Sequence, residues 1–175
     1  IKHGGMTLVE PSSVTNLLKD IEINIQAPGG STANTIRYLA NLGHQTGFIG
    51  GIGDDENGDF FHQCLNKSRI QTPERCFIKD TKNHFSVICI TPESERSMAT
   101  FINEQLSIQN AMIQDEWISV SEYIYVEAYL WNHSTSRKNI LAMSQKAKEL
   151  GKKIILTLAD SLCIKHNLKA LKSFC

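Results

Sequence analysis

Two adjacent glycines are the first residues in this chain whose type and position suggest chemistry. Ala27-Pro28-Gly29-Gly30-Ser31 follows an alternating run and leads into a helical stripe. Paired glycines let a ligand approach the backbone closely. The unpaired N–H groups of the following first helical turn point outward, where a polar ligand can meet them. Asn34 falls in that turn and can offer both a donor and an acceptor to a hydroxylated molecule. The same residues also suit a plain glycine turn with a solvent-facing asparagine, and the sequence leaves both readings open.

Glu127 directly follows the apolar run Tyr123-Ile124-Tyr125-Val126. A carboxylate there is costly unless it is paired or wet. A hydroxyl-binding role and a buried ion pair both meet that demand. Tyr129 and Trp131, just beyond it, can stack on a ring or pack into the core. Asp160 ends another apolar run, where capping the next helix is the better reading than ligand contact. Gly51-Ile52-Gly53-Asp54-Asp55-Glu56-Asn57-Gly58 fails the G-x-G-x-x-G spacing of a dinucleotide loop. Asp54 or Asp55 reads more simply as a helix N-cap.

The elements that position these groups follow from periodicity. Met6 to Val9 reads as a strand, and Ser12 or Ser13 as the cap of a brief helix to about Lys19, with Leu17 and Leu18 inward. Ile21, Ile23 and Ile25 alternate with polar residues and predict a half-wet strand. Ser31 is the expected N-cap of a helix ending at Gly43. Thr46 to Ile49 predicts a buried strand, and Glu56 to Lys67 a helix. Strands are expected near 75–78, 86–91 and 97–102, the last two joined by the turn-forming Pro92-Glu93-Ser94-Glu95. Residues 123–126, 134–150 and 153–158 read as strand, helix and strand, which is a right-handed crossover and hence a parallel sheet. A further helix begins near Leu162.

The bulk numbers bound the class. With 175 residues the chain holds one α/β domain, or one domain plus a small lid. Eighteen basic residues balance eighteen acidic ones, so no nucleic-acid footprint is expected. Apolar runs such as Val87 to Ile90 are too short to span a bilayer, and a cytoplasmic location is the default expectation. Five scattered cysteines with no C-x-x-C pair, and histidines without metal spacing, argue against a disulfide framework or a zinc site. The chain opens on Ile1 and stops at Cys175 within a plausible helix, so it is expected to be a piece of a longer protein.

The ordered motifs resemble the ribokinase (PfkB) family, closest in pattern to its adenosine kinase-like members. Pro28-Gly29-Gly30-Ser31-Thr32-Ala33-Asn34 is similar to the family's G-G-S-x-x-N segment, and Lys2 to Val9 to the K-G-x-M-x-L-V run before it. Gly51 to Gly58 resembles G-x-G-x-D-x-x-G. Ile90-Thr91-Pro92-Glu93 with Arg96-Ser97-Met98 resembles the lid hairpin. Val126 to Trp131 and Leu156 to Asp160 resemble E-G-Y-L-W and L-x-L-S-D. Ala128 stands in for a glycine and Ala159 for a serine of those patterns. Thr32 stands where sugar kinases carry Ala or Gly, which leans toward the nucleoside branch.

The resemblance implies a ribokinase-like α/β fold: a mostly parallel central sheet flanked by helices, with a small β-lid. It assigns 28–76 and 103–175 to the core and 1–27 and 77–102 to the lid. Gly29, Gly30, Asn34, Glu127 and Tyr129 become substrate-binding residues, for a nucleoside or sugar whose hydroxymethyl group accepts a phosphoryl from ATP with Mg²⁺. A homodimer through the lid is a further expectation. Family members run to about three hundred residues. No N-x-x-E or G-A-G-D occurs in this chain, so no catalytic residue or metal ligand is named here; the expected base lies beyond Cys175, and the chain alone is expected to be inactive. The alternative is a non-catalytic metabolite- or partner-binding protein of the same fold, and an oxidoreductase reading is disfavoured by the failed dinucleotide spacing.

Overall fold

The computed structural model describes residues 2–19 and 22–175 of an α/β chain. Its C-terminal part is built on strand β6 (Tyr123–Glu127) and strand β7 (Lys153–Thr157), which pair in parallel with Glu127 opposite Thr157. Helix α5 (Ser134–Glu149) joins them, and helix α6 (Ser161–Phe174) follows β7. Parallel neighbours need such a crossover, because a tight turn reverses the chain. Val126, Trp131, Ile140, Ala147, Cys163 and Leu171 form the buried cluster between these elements.

A second cluster of Ile36, Ile52, Leu65 and Ile70 lies between helix α2 (Ser31–Asn41), strand β2 (Ile52–Gly53) and helix α3 (Glu56–Lys67). Strand β2 pairs in parallel with strand β3 (Phe77–Ile78). The residues of the Gly51 to Gly58 motif are packed into a knot. A Cβ on Gly58 would run into the Gly53 carbonyl oxygen, and one on Gly51 into the Leu106 carbonyl oxygen. Asp55 caps α3, accepting from the Gly58 N–H at 3.0 Å, and also accepts from the Asn83 N–H. Asp54 accepts from the N–H groups of Asp80 and Thr81. Those two N–H groups, Thr81 first, hold its carboxyl below the usual carboxylate range.

Strand β1 (Met6–Leu8), strand β4 (Phe85–Ile90) and strand β5 (Arg96–Phe101) form a separate sheet in the order β1-β5-β4. The β4–β5 pair is an antiparallel hairpin, and β1 joins β5 in parallel. Among the described residues this sheet shares no ladder with the β6–β7 or β2–β3 pairs.

Several local expectations change. Residues 46–50 form an isolated bridge between Gly47 and Gln71 instead of a strand; glycines at 47, 50 and 51 leave that run little side chain to pack. Ile23 and Ile25 lie outside any strand and are exposed, while Ile21 lies outside the described residues. Helix α1 (Pro11–Leu18) starts at proline, ahead of both candidate serine caps; proline suits that first position because its missing N–H is not needed there. The Leu17 side chain also lies outside the described residues. Of the run expected as a strand near 75–78, residues 75 and 76 fall in a 3₁₀ turn (Glu74–Cys76) and only 77–78 form the strand β3. A short helix, α4 (Asp115–Val120), was not legible in the periodicity.

Candidate functional site

The start of α2 and the end of β6 meet. Ser31 was expected to cap α2, but the capping position falls to Gly30, at φ 91 and with no side-chain cap. Only glycine adopts that backbone shape without strain. Ser31 is thereby the first helical residue, and its hydroxyl donates to Glu127 Oε1. The Thr32 hydroxyl donates to Glu127 Oε2 at 2.9 Å. The carboxylate that follows the apolar strand is thus satisfied by two hydroxyls, and not by the ion pair that was the alternative. Its negative charge also lies beside a helix N-terminus, where the backbone dipoles favour it.

Asn34 is half-buried one turn into α2, and its amide makes no side-chain hydrogen bond among the described residues. Gly29 has nothing within 4 Å of where a Cβ would stand. The openness at Gly29 and the unused amide at Asn34 are therefore not demanded by packing of this chain.

Past Glu127 the chain makes a 3₁₀ turn, Ala128–Asn132. Its two aromatics part company. Trp131 is 2% exposed and packs edge-on against Phe174 at 4.9 Å, so it belongs to the core. Tyr129 stays 38% exposed, and its hydroxyl donates to Asp160 Oδ2 at 2.6 Å. Burial first, then this bond and the neighbouring charge, push the Tyr129 hydroxyl well above the usual tyrosine range. Asp160 also caps α6 by accepting from the Cys163 N–H at 2.7 Å. The tyrosine bond and then this N–H hold the Asp160 carboxyl below its ordinary value. Ala159, just before it, sits in the left-handed region at φ 62, a conformation that costs a residue with a Cβ about 1–2 kcal/mol. Ala128 is fully buried.

All five residues singled out from the sequence, Gly29, Gly30, Asn34, Glu127 and Tyr129, line one open cleft of about 3050 Å³ beside the β1-β5-β4 sheet. That volume exceeds the ~300–1,000 Å³ of a drug-sized pocket, so it places the face without outlining a ligand. Ser31 and Thr32 were not foreseen as partners of Glu127, because nothing local links residues about 95 positions apart. Among the described residues no three His, Cys, Asp or Glu side chains converge as a metal site. No step is routed through Mg²⁺. No helix among the described residues is long and apolar enough to cross a membrane.

A glycine turn feeding a helix thus meets a polar strand end on an α/β frame. Residues 18–173 match the pfkB family carbohydrate kinases. The chain belongs to that family. It is 29% identical over 136 residues to 5-dehydro-2-deoxygluconokinase of Bacillus subtilis, covering 74% of this chain and 41% of that protein. Against the enzyme of the same name from Lacticaseibacillus casei it is 30% identical over 148 residues, covering 81% and 44%. The structure is similar to adenosine kinase from Sinorhizobium meliloti, with TM-score 0.85, 25% identity, and coverage of 99% of this chain and 53% of that one. It shares its fold with Schistosoma mansoni adenosine kinase solved with tubercidin, at TM-score 0.80, 16% identity, and coverage of 98% and 52%. The chain thus spans under half the length of these curated relatives and about half that of the two structural neighbours.

Proposed function

We propose that this chain is the substrate-binding part of an ATP-dependent kinase that phosphorylates the hydroxymethyl group of a nucleoside or sugar. The observation that carries the reading is the meeting of the Gly29-Gly30 turn and α2 with the end of β6, through the Ser31 and Thr32 bonds to Glu127. In a pfkB-family chain, that places an open glycine backbone, an unused asparagine amide and a carboxylate on one face.

In this reading Gly29 and Gly30 let a hydroxylated substrate reach the backbone. The Asn34 amide donates and accepts at its hydroxyls, and Glu127 accepts through the lone pairs its two hydroxyl partners leave free. Tyr129 flanks the ring. The β1-β5-β4 sheet acts as a lid that limits water at the bound substrate, with 1–27 and 77–102 as the lid segments and 28–76 and 103–175 as the core. Its exposed Leu8, Ile88 and Ile90 suit a homodimer through the lid.

ATP supplies the phosphoryl group, and a divalent ion would neutralise charge on it. This chain holds and orients the acceptor. Proton removal from the acceptor hydroxyl and an anion hole call for residues it does not contain. The acceptor is a nucleoside or a sugar: Thr32 and the S. meliloti likeness lean toward a nucleoside, while the curated relatives carry sugar-kinase names.

Calorimetric titration of the chain with adenosine, D-ribose and D-fructose tests the reading. Saturable binding of one of them, weakened by Asn34→Ala, supports it. Binding of none, by a folded chain, overturns it.

A further inference from the structure

Glu127 is held at both carboxylate oxygens by hydroxyls that precede it by 96 and 95 residues. An ionised carboxylate only accepts, and hydroxyl-to-carboxylate bonds are among the stronger hydrogen bonds in proteins. The helix that supplies those hydroxyls is anchored in the core by Ala33 and Ile36 and has no side-chain cap to fix the turn before it. Its cap is a glycine with no capping side chain, and a Cβ at the preceding Gly29 would touch nothing. A turn of two glycines loses more backbone freedom on ordering than any other pair.

We propose that Ser31 and Thr32 are positioning residues that, by clamping Glu127, fix the Gly29-Gly30 turn against the end of β6 before a ligand binds. This rests on the substrate-site reading above. Thr32 is the more restrained of the two. It is half-buried and β-branched, so its hydroxyl has few directions to choose from. With each O–H donated to Glu127, the Ser31 and Thr32 oxygens present only acceptor lone pairs to the cleft. The clamp therefore sets the polarity of the subsite as well as its shape. Fixing the turn beforehand removes an ordering cost that substrate binding would otherwise meet.

The test uses the 175-residue chain with Thr32→Val, Thr32→Ser, Ser31→Ala and Glu127→Gln. Amide exchange is followed by mass spectrometry over residues 29–34, and adenosine and D-ribose are titrated separately. Thr32→Val keeps the side-chain shape and loses the hydroxyl. It is expected to speed exchange at 29–34, to weaken the bound ligand roughly fivefold, and to leave the thermal midpoint nearly unchanged. Thr32→Ser is expected to restore both exchange and affinity. If Thr32→Val does not fold, Ser31→Ala and Glu127→Gln carry the same expectation. Exchange at 29–34 that stays at the wild-type rate in all three hydroxyl- or charge-removing variants overturns the clamp. Faster exchange with unchanged ligand affinity overturns the positioning role. If exchange responds but neither adenosine nor D-ribose binds the wild-type chain, the substrate-site reading falls and the clamp stands.

Discussion

The Tyr129 hydroxyl donates to Asp160 at 2.6 Å and so joins the turn after β6 to the cap of α6. One carboxylate serves two partners, Tyr129 through Oδ2 and the Cys163 N–H through Oδ1. Asp160→Ala should remove both bonds, and Tyr129→Phe only the first. We expect Asp160→Ala to lower unfolding free energy by about 1–2 kcal/mol, the usual cost of a lost cap. Tyr129→Phe should cost about 0.5–1 kcal/mol, since the bond is partly in water. Urea melts of the two variants read the difference, and equal effects would mean the cap contributes little.

The same pair predicts pH limits. The Asp160 carboxyl is held low in the folded state, so its stabilisation is present above the unfolded carboxylate pKa of about 4. That contribution is lost as pH falls through the lower folded value. The Tyr129 hydroxyl is pushed up, so its contribution is present below about pH 10 and is lost as pH rises toward the folded value. Tyr129→Phe should therefore flatten the alkaline limb of a stability-versus-pH curve. An alkaline limb unchanged in that variant would remove Tyr129 as its cause.

Burial and the charge of His133 push the His84 imidazole below its ordinary value. The folded state then favours neutral His84, and stability falls as pH drops below about 6.5. His84→Gln should reduce that slope between about pH 7 and 5. Thermal midpoints at half-unit steps would detect it.

Two glycines should answer an alanine substitution in opposite ways. Gly58→Ala drives a methyl into the Gly53 carbonyl and is expected to cost about 3 kcal/mol. Gly29→Ala meets nothing in the chain and should leave the melting temperature unchanged while weakening adenosine or sugar binding at least fivefold, about 1 kcal/mol. A Gly29→Ala chain that binds as well as the wild type would make the glycine turn a connection only.

Asn34 and Asp55 separate in the same manner. Asp55→Ala loses acceptors for Gly58 and Asn83 and should cost about 1–2 kcal/mol of stability with ligand affinity kept. Asn34→Ala should do the reverse, weakening ligand by about 1–2 kcal/mol. The opposite result in calorimetry would exchange the roles of the two glycine-flanked turns. Phosphotransfer is a separate measurement: if, as proposed, this chain supplies only the acceptor-binding side of the site, then with ATP, Mg²⁺ and adenosine it should form no adenosine monophosphate, and turnover would overturn that proposal.

Local rules determined much of this protein without its tertiary structure. The apolar stripe from Ala33 to Leu42 required a helix, and the β-rich runs at 123–126 and 153–158 around a helical stretch required a parallel pair. The order of short motifs placed the chain in its family, because each motif marks a backbone turn that only certain residues can make. Tertiary structure decided what those rules do not reach. Whether Ile23 and Ile25 find a partner strand depends on residues elsewhere, and they find none among the described ones. Whether Ser31 caps its helix or donates to Glu127 depends on a carboxylate 96 residues later. Tyr129 faces the cleft and Trp131 the core because a single 3₁₀ turn points them apart. Side-chain partners so far apart in sequence are chosen by packing, which only the folded chain defines.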